Sequence, residues 1–322
     1  MAATTTPPPW QWPIPRPLQY LFDAVPLRVY EATELPARSQ PATSDTLPSL
    51  YVFATAEDAR RGRPSFNPGC LKWQTYLRLA GVPFRLVAST NHASPTGALP
   101  FLLPPRSTTS CSTSPIPSSQ LASYAEKTHA VSPSTPLSVV ANIPSSSVLR
   151  SEAYQSLVDH PLRNAWLYAL YLDRRHTSLL DTFYTGPASS SGLVRATLRR
   201  QLRHAAEGEI LKMGSYLSGA AAGTAVVDGD RVVREAGEAL EALAGVLAES
   251  GTGWFFGAEG PSLFDCAVFA YTFLMVEYMA GPGEKGSREG DVWLGDMVRK
   301  AGEGELEGHR VRILRAAFGE GS

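Results

Sequence analysis

The chain has few cysteines, no excess of either charge and no long apolar run. Its three cysteines, Cys70, Cys111 and Cys266, are an odd number, which is typical of a reducing compartment rather than of a disulfide framework. Lysine and arginine number 29 against 30 acidic residues, so no overall basic field attracts a nucleic acid. The most apolar run, residues 266–276, is shorter than the roughly 20 residues of a membrane-spanning helix. Nucleic-acid binding and a transmembrane helix are therefore not expected.

The motifs of common catalytic and cofactor sites are also missing. The six histidines show no i, i+4 pair and no cysteine at metal-ligand spacing. There is no glycine loop followed by a Walker lysine and no nucleophile elbow. The first arginine is Arg16, so neither a secretory nor an amphipathic presequence is expected. We predict no catalytic residue, no cofactor and no metal.

Residues 1–47 are rich in proline and threonine but also carry aromatic side chains. Such a segment is either a strap that packs on its own domain or a docking segment for another protein, since exposed aromatic residues and arginine are typical interface anchors. The candidate docking residues are Trp10, Trp12, Arg16, Tyr20 and Phe22.

Residues 48–103 have the pattern of a thioredoxin-like core, with strands predicted at 50–53, 82–87 and 99–103. The helix between the first two strands has Asn67 as N-cap, Pro68 at its first position and Gly81 just after its end. Cys70 lies on the apolar stripe of this helix, which favours a buried side chain over a reactive thiolate. Pro100 opens the third strand.

Residues 104–150 are rich in serine, threonine and proline, which predicts a largely flexible insertion with one short helix near 119–127. Residues 151–318 are predicted to be a helical domain, in which Ser262 and Asp265 form a capping box. A hairpin at 226–233 is an alternative to the start of one helix, because Asp228-Gly229 is a good hairpin turn. The predicted helices span 151–176, 193–218, 230–250, 262–280, 291–302 and 306–318.

This order of elements, α/β followed by all-α, resembles the glutathione-transferase architecture, in which a thioredoxin-like domain precedes a helical domain. Leu99-Pro100 matches the position of the cis-proline of that family. Asn67 occupies the place of the first cysteine of a redox motif, and residues 117–121 (PSSQL) lack the acidic member of the pair that holds glutathione. The resemblance therefore implies the fold, while these two departures argue against glutathione chemistry.

Three segments resemble the metaxin family, and within it the fungal receptor subunits of the mitochondrial sorting and assembly machinery. They are residues 65–84 (SFNPGCLKWQTYLRLAGVPF), 91–101 (NHASPTGALPF) and 261–271 (PSLFDCAVFAY). The resemblance implies a non-enzymatic peripheral subunit on the cytosolic face of the mitochondrial outer membrane. Its implied partners are a β-barrel insertase, a second metaxin-like subunit and the C-terminal β-signals of precursor barrels. A transferase or thiol enzyme of this fold and a cytosolic adaptor remain the alternatives.

Overall fold

The computed structural model describes residues 15–17, 20, 47–105, 114–131, 143–218, 226–281 and 292–319. The chain divides into two compact units, Met1–Ser39 and Gln40–Ser322. In the first unit, Arg16 is exposed and Tyr20 is 75% exposed. The other candidate docking residues, Trp10, Trp12 and Phe22, lie outside the described residues.

The second unit opens with a mixed four-stranded sheet in the order β2-β1-β3-β4. Strand β1 (Ser49–Val52) runs parallel to β2 (Arg85–Ala88) and antiparallel to β3 (Phe101–Leu103), which pairs in turn with β4 (Ile116–Pro117). All four residues of β1 are buried, as expected for a central strand that is covered on both faces.

The sheet extends beyond the predicted core of 48–103. Strand β4 and helix α3 (Leu121–Val131) lie within the segment that was predicted to be a largely flexible insertion. Leu121 and Ala125, one turn apart, are both buried. The sequence hides this strand because a two-residue edge strand that ends in proline has no alternating apolar pattern. Strand β4 thus lies beyond the predicted core, and the short helix predicted near 119–127 is a 3₁₀ turn, Ser118–Gln120, followed by α3.

Two helices follow β1. Helix α1 (Ala56–Arg61) was not predicted, whereas α2 (Pro68–Leu79) has its expected signals. The Asn67 side chain accepts a hydrogen bond from the Cys70 amide, and Pro68 occupies the first turn, where its missing N–H costs nothing. The chain leaves the helix through Gly81, whose φ of +69° suits a residue without a Cβ.

The rest of the unit is helical, and its first part contains wide π-helical turns. Because these turns shift the apolar period away from 3.6 residues, the helical conformation of 177–188 escaped prediction. The elements are α4 (Val148–Leu157), a π-helical turn Val158–Leu162, α5 (Arg163–Leu167), a π-helical turn Tyr168–Leu172, a 3₁₀ turn Arg174–His176, α6 (Thr177–Leu180), a π-helical turn Asp181–Thr185 and a short turn Gly186–Ala188.

Five longer helices or helical segments complete the unit: α7 (Gly192–Ser218), α8 (Gly229–Ser250), α9 (Leu263–Tyr278), α10 (Leu294–Lys300) and α11 (Glu305–Phe318). The hairpin alternative at 226–233 is wrong, because Asp228 caps α8 by accepting a hydrogen bond from the Arg231 amide. Within the described ranges, no helix has both the length and the hydropathy to cross a bilayer.

Helix α9 is apolar on all sides and forms the centre of the core, where it packs on α2. The C-terminal helix α11 also reaches α2. Arg78 of α2 donates a hydrogen bond to the Ala317 carbonyl (3.1 Å) and lies 4.4 Å from the centre of the Phe318 ring. The sheet half and the helical half therefore share one hydrophobic core.

Candidate functional site at the start of helix α2

The start of α2 is the position at which a thiol-dependent enzyme of this architecture would hold its reactive group. Here both polar atoms of the Asn67 side chain form hydrogen bonds. Its Oδ1 accepts from the Cys70 amide at 3.2 Å, and its Nδ2 donates to the Tyr184 hydroxyl at 3.3 Å. Asn67 has no ionisable group, so the start of α2 carries a neutral amide rather than a thiol or a hydroxyl group.

Cys70, one turn into α2, is fully buried. Burial raises the pKa of its thiol to about 12, although hydrogen bonds from the Phe53 backbone and the Ser65 side chain act in the opposite direction. At neutral pH the thiol is therefore protonated. Cys70 is a small apolar core residue, as its place on the stripe of the helix indicates.

Aromatic side chains from the helical half cover the start of α2. Phe183 stacks on Phe66 with ring centres 4.3 Å apart and an interplanar angle of 4°. Tyr184 meets the ring of Phe66 edge to face at 5.5 Å and that of Phe53 at the same distance. Stacked rings at this distance are in van der Waals contact, so no ligand fits between Phe66 and Phe183.

Sequence reasoning missed Phe183 and Tyr184. Both lie in the π-helical turn Asp181–Thr185, which carries no 3.6-residue apolar period. The only available signal was the adjacent aromatic pair itself within a stretch otherwise treated as a joint between helices.

The Tyr184 hydroxyl is not an activated acid or base. Burial raises its pKa well above the ordinary value, and the neighbouring Tyr171 adds to this effect. The Asn67 amide lowers the pKa but does not offset burial. Tyr184 is therefore a neutral phenol that joins the helical half to the cap of α2.

The other two predicted landmarks of this site have clear positions. The Leu99–Pro100 peptide bond is cis, and Pro100 is buried directly before β3. Ser118–Gln120 form a 3₁₀ turn between β4 and α3, and Gln120 is exposed. This turn offers hydroxyls and an amide but no carboxylate for an ammonium group.

Ser262 and Asp265 form a buried polar junction at the start of α9. The Asp265 Oδ2 accepts from the Ser262 amide (2.8 Å) and hydroxyl (2.6 Å), and its Oδ1 accepts from the Phe255 amide (3.1 Å). The Asp265 Oδ1 also lies 2.9 Å from Nε2 of the buried His309 on α11. The capping box therefore also anchors α11, a contact that the sequence does not reveal.

The described residues contain no group of three histidine, cysteine or acidic side chains arranged as metal ligands. The start of α2 has neither an ionised nucleophile nor an open cavity between its rings. The side chains described there connect the sheet half to the helical half.

Comparisons with known proteins give the fold. A family model described as the glutathione S-transferase N-terminal domain matches residues 68–176. A glutathione transferase of Phanerochaete chrysosporium is 14% identical, with a TM-score of 0.50, and the match covers 84% of this chain and 98% of that one. The chain has a glutathione-transferase-like fold.

A second solved structure agrees with this glutathione-transferase-like fold. It is a glutathione S-transferase of Ceriporiopsis subvermispora in complex with glutathione, 14% identical, with a TM-score of 0.50. The match covers 86% of this chain and 100% of that chain. No curated protein sequence matches. At this level of identity the likeness concerns the fold, so function has to be argued from the site.

Proposed function

We propose that this glutathione-transferase-like chain is a non-enzymatic subunit of the β-barrel sorting and assembly machinery of the mitochondrial outer membrane. It is peripheral, lies on the cytosolic face, and binds a β-barrel insertase and a second metaxin-like subunit. Together with these partners it helps to recognise the C-terminal β-signal of precursor barrels and to insert them. Two observations support the proposal: the metaxin-like sequences of residues 65–84, 91–101 and 261–271, and the neutral Asn67 amide at the start of α2.

The observation that carries the non-enzymatic part is the bond between Asn67 and Tyr184. It replaces a nucleophile by a neutral amide and connects that amide to the helical half. The nearest thiol, Cys70, is buried and protonated. Glutathione supplies its own thiol, so a transferase needs a free hydrogen-bond donor that stabilises the thiolate, whereas Nδ2 of Asn67 donates to the Tyr184 hydroxyl. The buried Cys70 opposes a thiol oxidoreductase.

The assembly part of the proposal is compatible with a transferase-like fold that lacks a catalytic group at the start of α2. Asn67, Pro68 and Gly81 shape α2, Pro100 opens β3, and Ser262 with Asp265 caps α9. All of these residues have structural roles and stabilise the fold whose surface, in this proposal, binds the partners. A scaffold or receptor subunit uses such surfaces rather than a cleft.

Mild-detergent affinity purification of the tagged chain from mitochondria, followed by unbiased mass spectrometry, tests this proposal. We expect stoichiometric recovery of an outer-membrane β-barrel insertase and a second metaxin-like chain. Recovery of the chain alone, or with soluble proteins only, contradicts the proposal and favours a cytosolic adaptor.

A turnover assay with glutathione and an electrophile separates the enzymatic alternative. We expect no turnover above that of heat-denatured protein. Measurable turnover by the native chain would show that the start of α2 opens to admit a thiol, and would support a transferase.

A further inference from the structure

The first half of helix α7 touches the core only at its edge, through side chains such as the partly buried Leu202. From Gly192 to Ala205 none of its residues is buried, and Ala206 and Ile210 are the first that are. Leu193 is 80% exposed and Val194 is 43% exposed. A helix of a globular domain normally buries its apolar side chains, so the exposed Leu193 and Val194 are available to a surface other than the core.

An open groove of about 560 Å³ runs beside this stretch. We call it the arginine groove: Arg199, Arg200, Arg203 and His204 line it from α7, and Thr177 lines it from the facing element. Glu207 is the one acidic residue among the lining side chains. Three arginines face Glu207 in the lining and Asp181 behind Arg199, so the groove keeps a small positive charge in a chain whose net charge is −1.

Two of the arginines are held in place from behind. Arg199 donates to Asp181 at 3.2 Å, and Nε of Arg203 donates to the Tyr171 carbonyl at 2.9 Å. Each guanidinium has five N–H donors, so most donors of both side chains remain for a ligand. The side chains of Arg200 and His204 have no hydrogen-bond or ion-pair partner in the described part of the chain. Because Arg199 and Arg203 are already positioned by these hydrogen bonds, a ligand that binds them pays a smaller entropy cost.

Planar guanidinium groups match the geometry of phosphate oxygens, and several of them in one groove favour a phosphate-bearing ligand. A free phosphate compound does not account for the exposed Leu193 and Val194 at the start of the same helix. Apolar side chains next to arginines are typical of a helix that lies at the surface of an anionic bilayer.

We propose that the arginine groove and the exposed start of α7 form an attachment surface for acidic phospholipid headgroups. Arg199, Arg200 and Arg203 bind the phosphates, while Leu193 and Val194 enter the interface between headgroups and acyl chains. This surface stands apart from the proposed assembly role, which requires only protein partners, and the two are tested separately.

Vesicle flotation of the purified full-length chain tests the surface. We expect binding to phosphatidylcholine vesicles that contain about 30 mol% phosphatidic acid, little binding to phosphatidylcholine alone, and a loss of binding at high salt. Arg200→Glu is expected to weaken binding at least about tenfold, because it changes the surface by two charge units. Leu193→Ser is expected to weaken it several-fold.

Arg234→Glu is the matched control. It makes the same charge change at an exposed arginine on α8, and we expect its binding to stay within about twofold of the unaltered chain. Equal losses in Arg234→Glu and Arg200→Glu would show that only net charge matters and would overturn the proposal. Thermal melts of the variants verify their folding, since all three positions are exposed.

Two further binding experiments distinguish a lipid headgroup from other ligands of the arginine groove. Glycerol 3-phosphate that competes with acidic vesicles supports recognition of the headgroup. Glycerol 3-phosphate that binds while vesicles do not would identify a soluble phosphate ligand and overturn the membrane attachment. Binding of polyglutamate without binding of vesicles would identify an acidic protein partner and would also overturn it.

Discussion

At the scale of single residues, Asn67 decides what the start of α2 does. A cysteine, serine or tyrosine at this point would place an ionisable group at the positive end of a helix, where its anion is stabilised. The amide of Asn67 instead accepts from the Cys70 amide and donates to Tyr184. The helix end is thereby satisfied within the chain itself.

Asn67→Ala removes both bonds of this side chain. We expect a loss of about 2 kcal/mol in the free energy of unfolding, about 1 from the cap and about 1 from the bond to Tyr184. Tyr184→Phe removes only the second bond and is expected to cost about 1 kcal/mol. Urea unfolding measures both. A neutral Tyr184→Phe variant would show that this contact does not stabilise the fold.

Cys70 gives the fold a dependence on alkaline pH. The folded pKa is about 12, above the ordinary value of 9.0, so above about pH 9 the unfolded chain holds fewer protons than the folded one. The contribution of the buried Cys70 thiol to the free energy of unfolding is fully present below about pH 9 and is lost as the pH rises towards 12. By pH 10.5 it has decreased by about 2 kcal/mol.

Comparison with Cys70→Ala isolates this effect, because the other buried thiol, Cys266, is present in both proteins. The variant is expected to be less stable at pH 7 but to lose about 2 kcal/mol less between pH 8 and pH 10.5. Parallel stability curves over that range would contradict a raised pKa at Cys70.

At the scale of elements, α11 is attached to α9 through one carboxylate. Asp265 accepts from the Ser262 and Phe255 amides and contacts His309 of α11, all inside the core. The capping box is visible in the sequence because its two residues are three positions apart. His309 is 44 positions away and has no pattern of its own, so its role requires the fold.

Asp265→Ala leaves the cap, the Phe255 amide and His309 without an acceptor. We expect it to cost about 3 kcal/mol or more, since several buried donors lose their partner at once. Ser262→Ala, which removes the cap hydroxyl and leaves the carboxylate, is expected to cost about 1 kcal/mol. Denaturant unfolding of the two variants measures both losses of stability. Equal losses for Asp265→Ala and Ser262→Ala would mean that Asp265 acts only as a capping residue.

At the scale of the whole molecule, the confirmed prediction is the fold class, a sheet half followed by a helical half. It was accessible because α2 has clear start and stop signals and because α8 and α9 have strong caps. Strand β4 and the helical turns of 177–188 were not accessible, since a proline-ended edge strand and π-helical turns carry no regular apolar period. Phe183 lies in one of these turns, so its packing on Phe66 could not be predicted.

The N-terminal segment provides a test at the same scale. Deletion of residues 1–30 is expected to lower the recovery of the insertase and of the second metaxin-like subunit in the affinity purification. The unfolding midpoint of residues 40–322 is expected to stay the same, which circular dichroism measures. Normal recovery of both partners after the deletion would mean that this segment is not a docking segment.

The contact of Arg78 with Ala317 and Phe318 has a consequence for synthesis on the ribosome. The sheet half is translated first, but the side chain of Arg78 on α2 bonds to the Ala317 carbonyl, which is translated 239 positions later. Until α11 emerges, the face of α2 that receives it is open to chaperones and proteases. A nonsense codon that removes only the last helix would therefore expose the sheet half to degradation, although none of the codons of that half has changed.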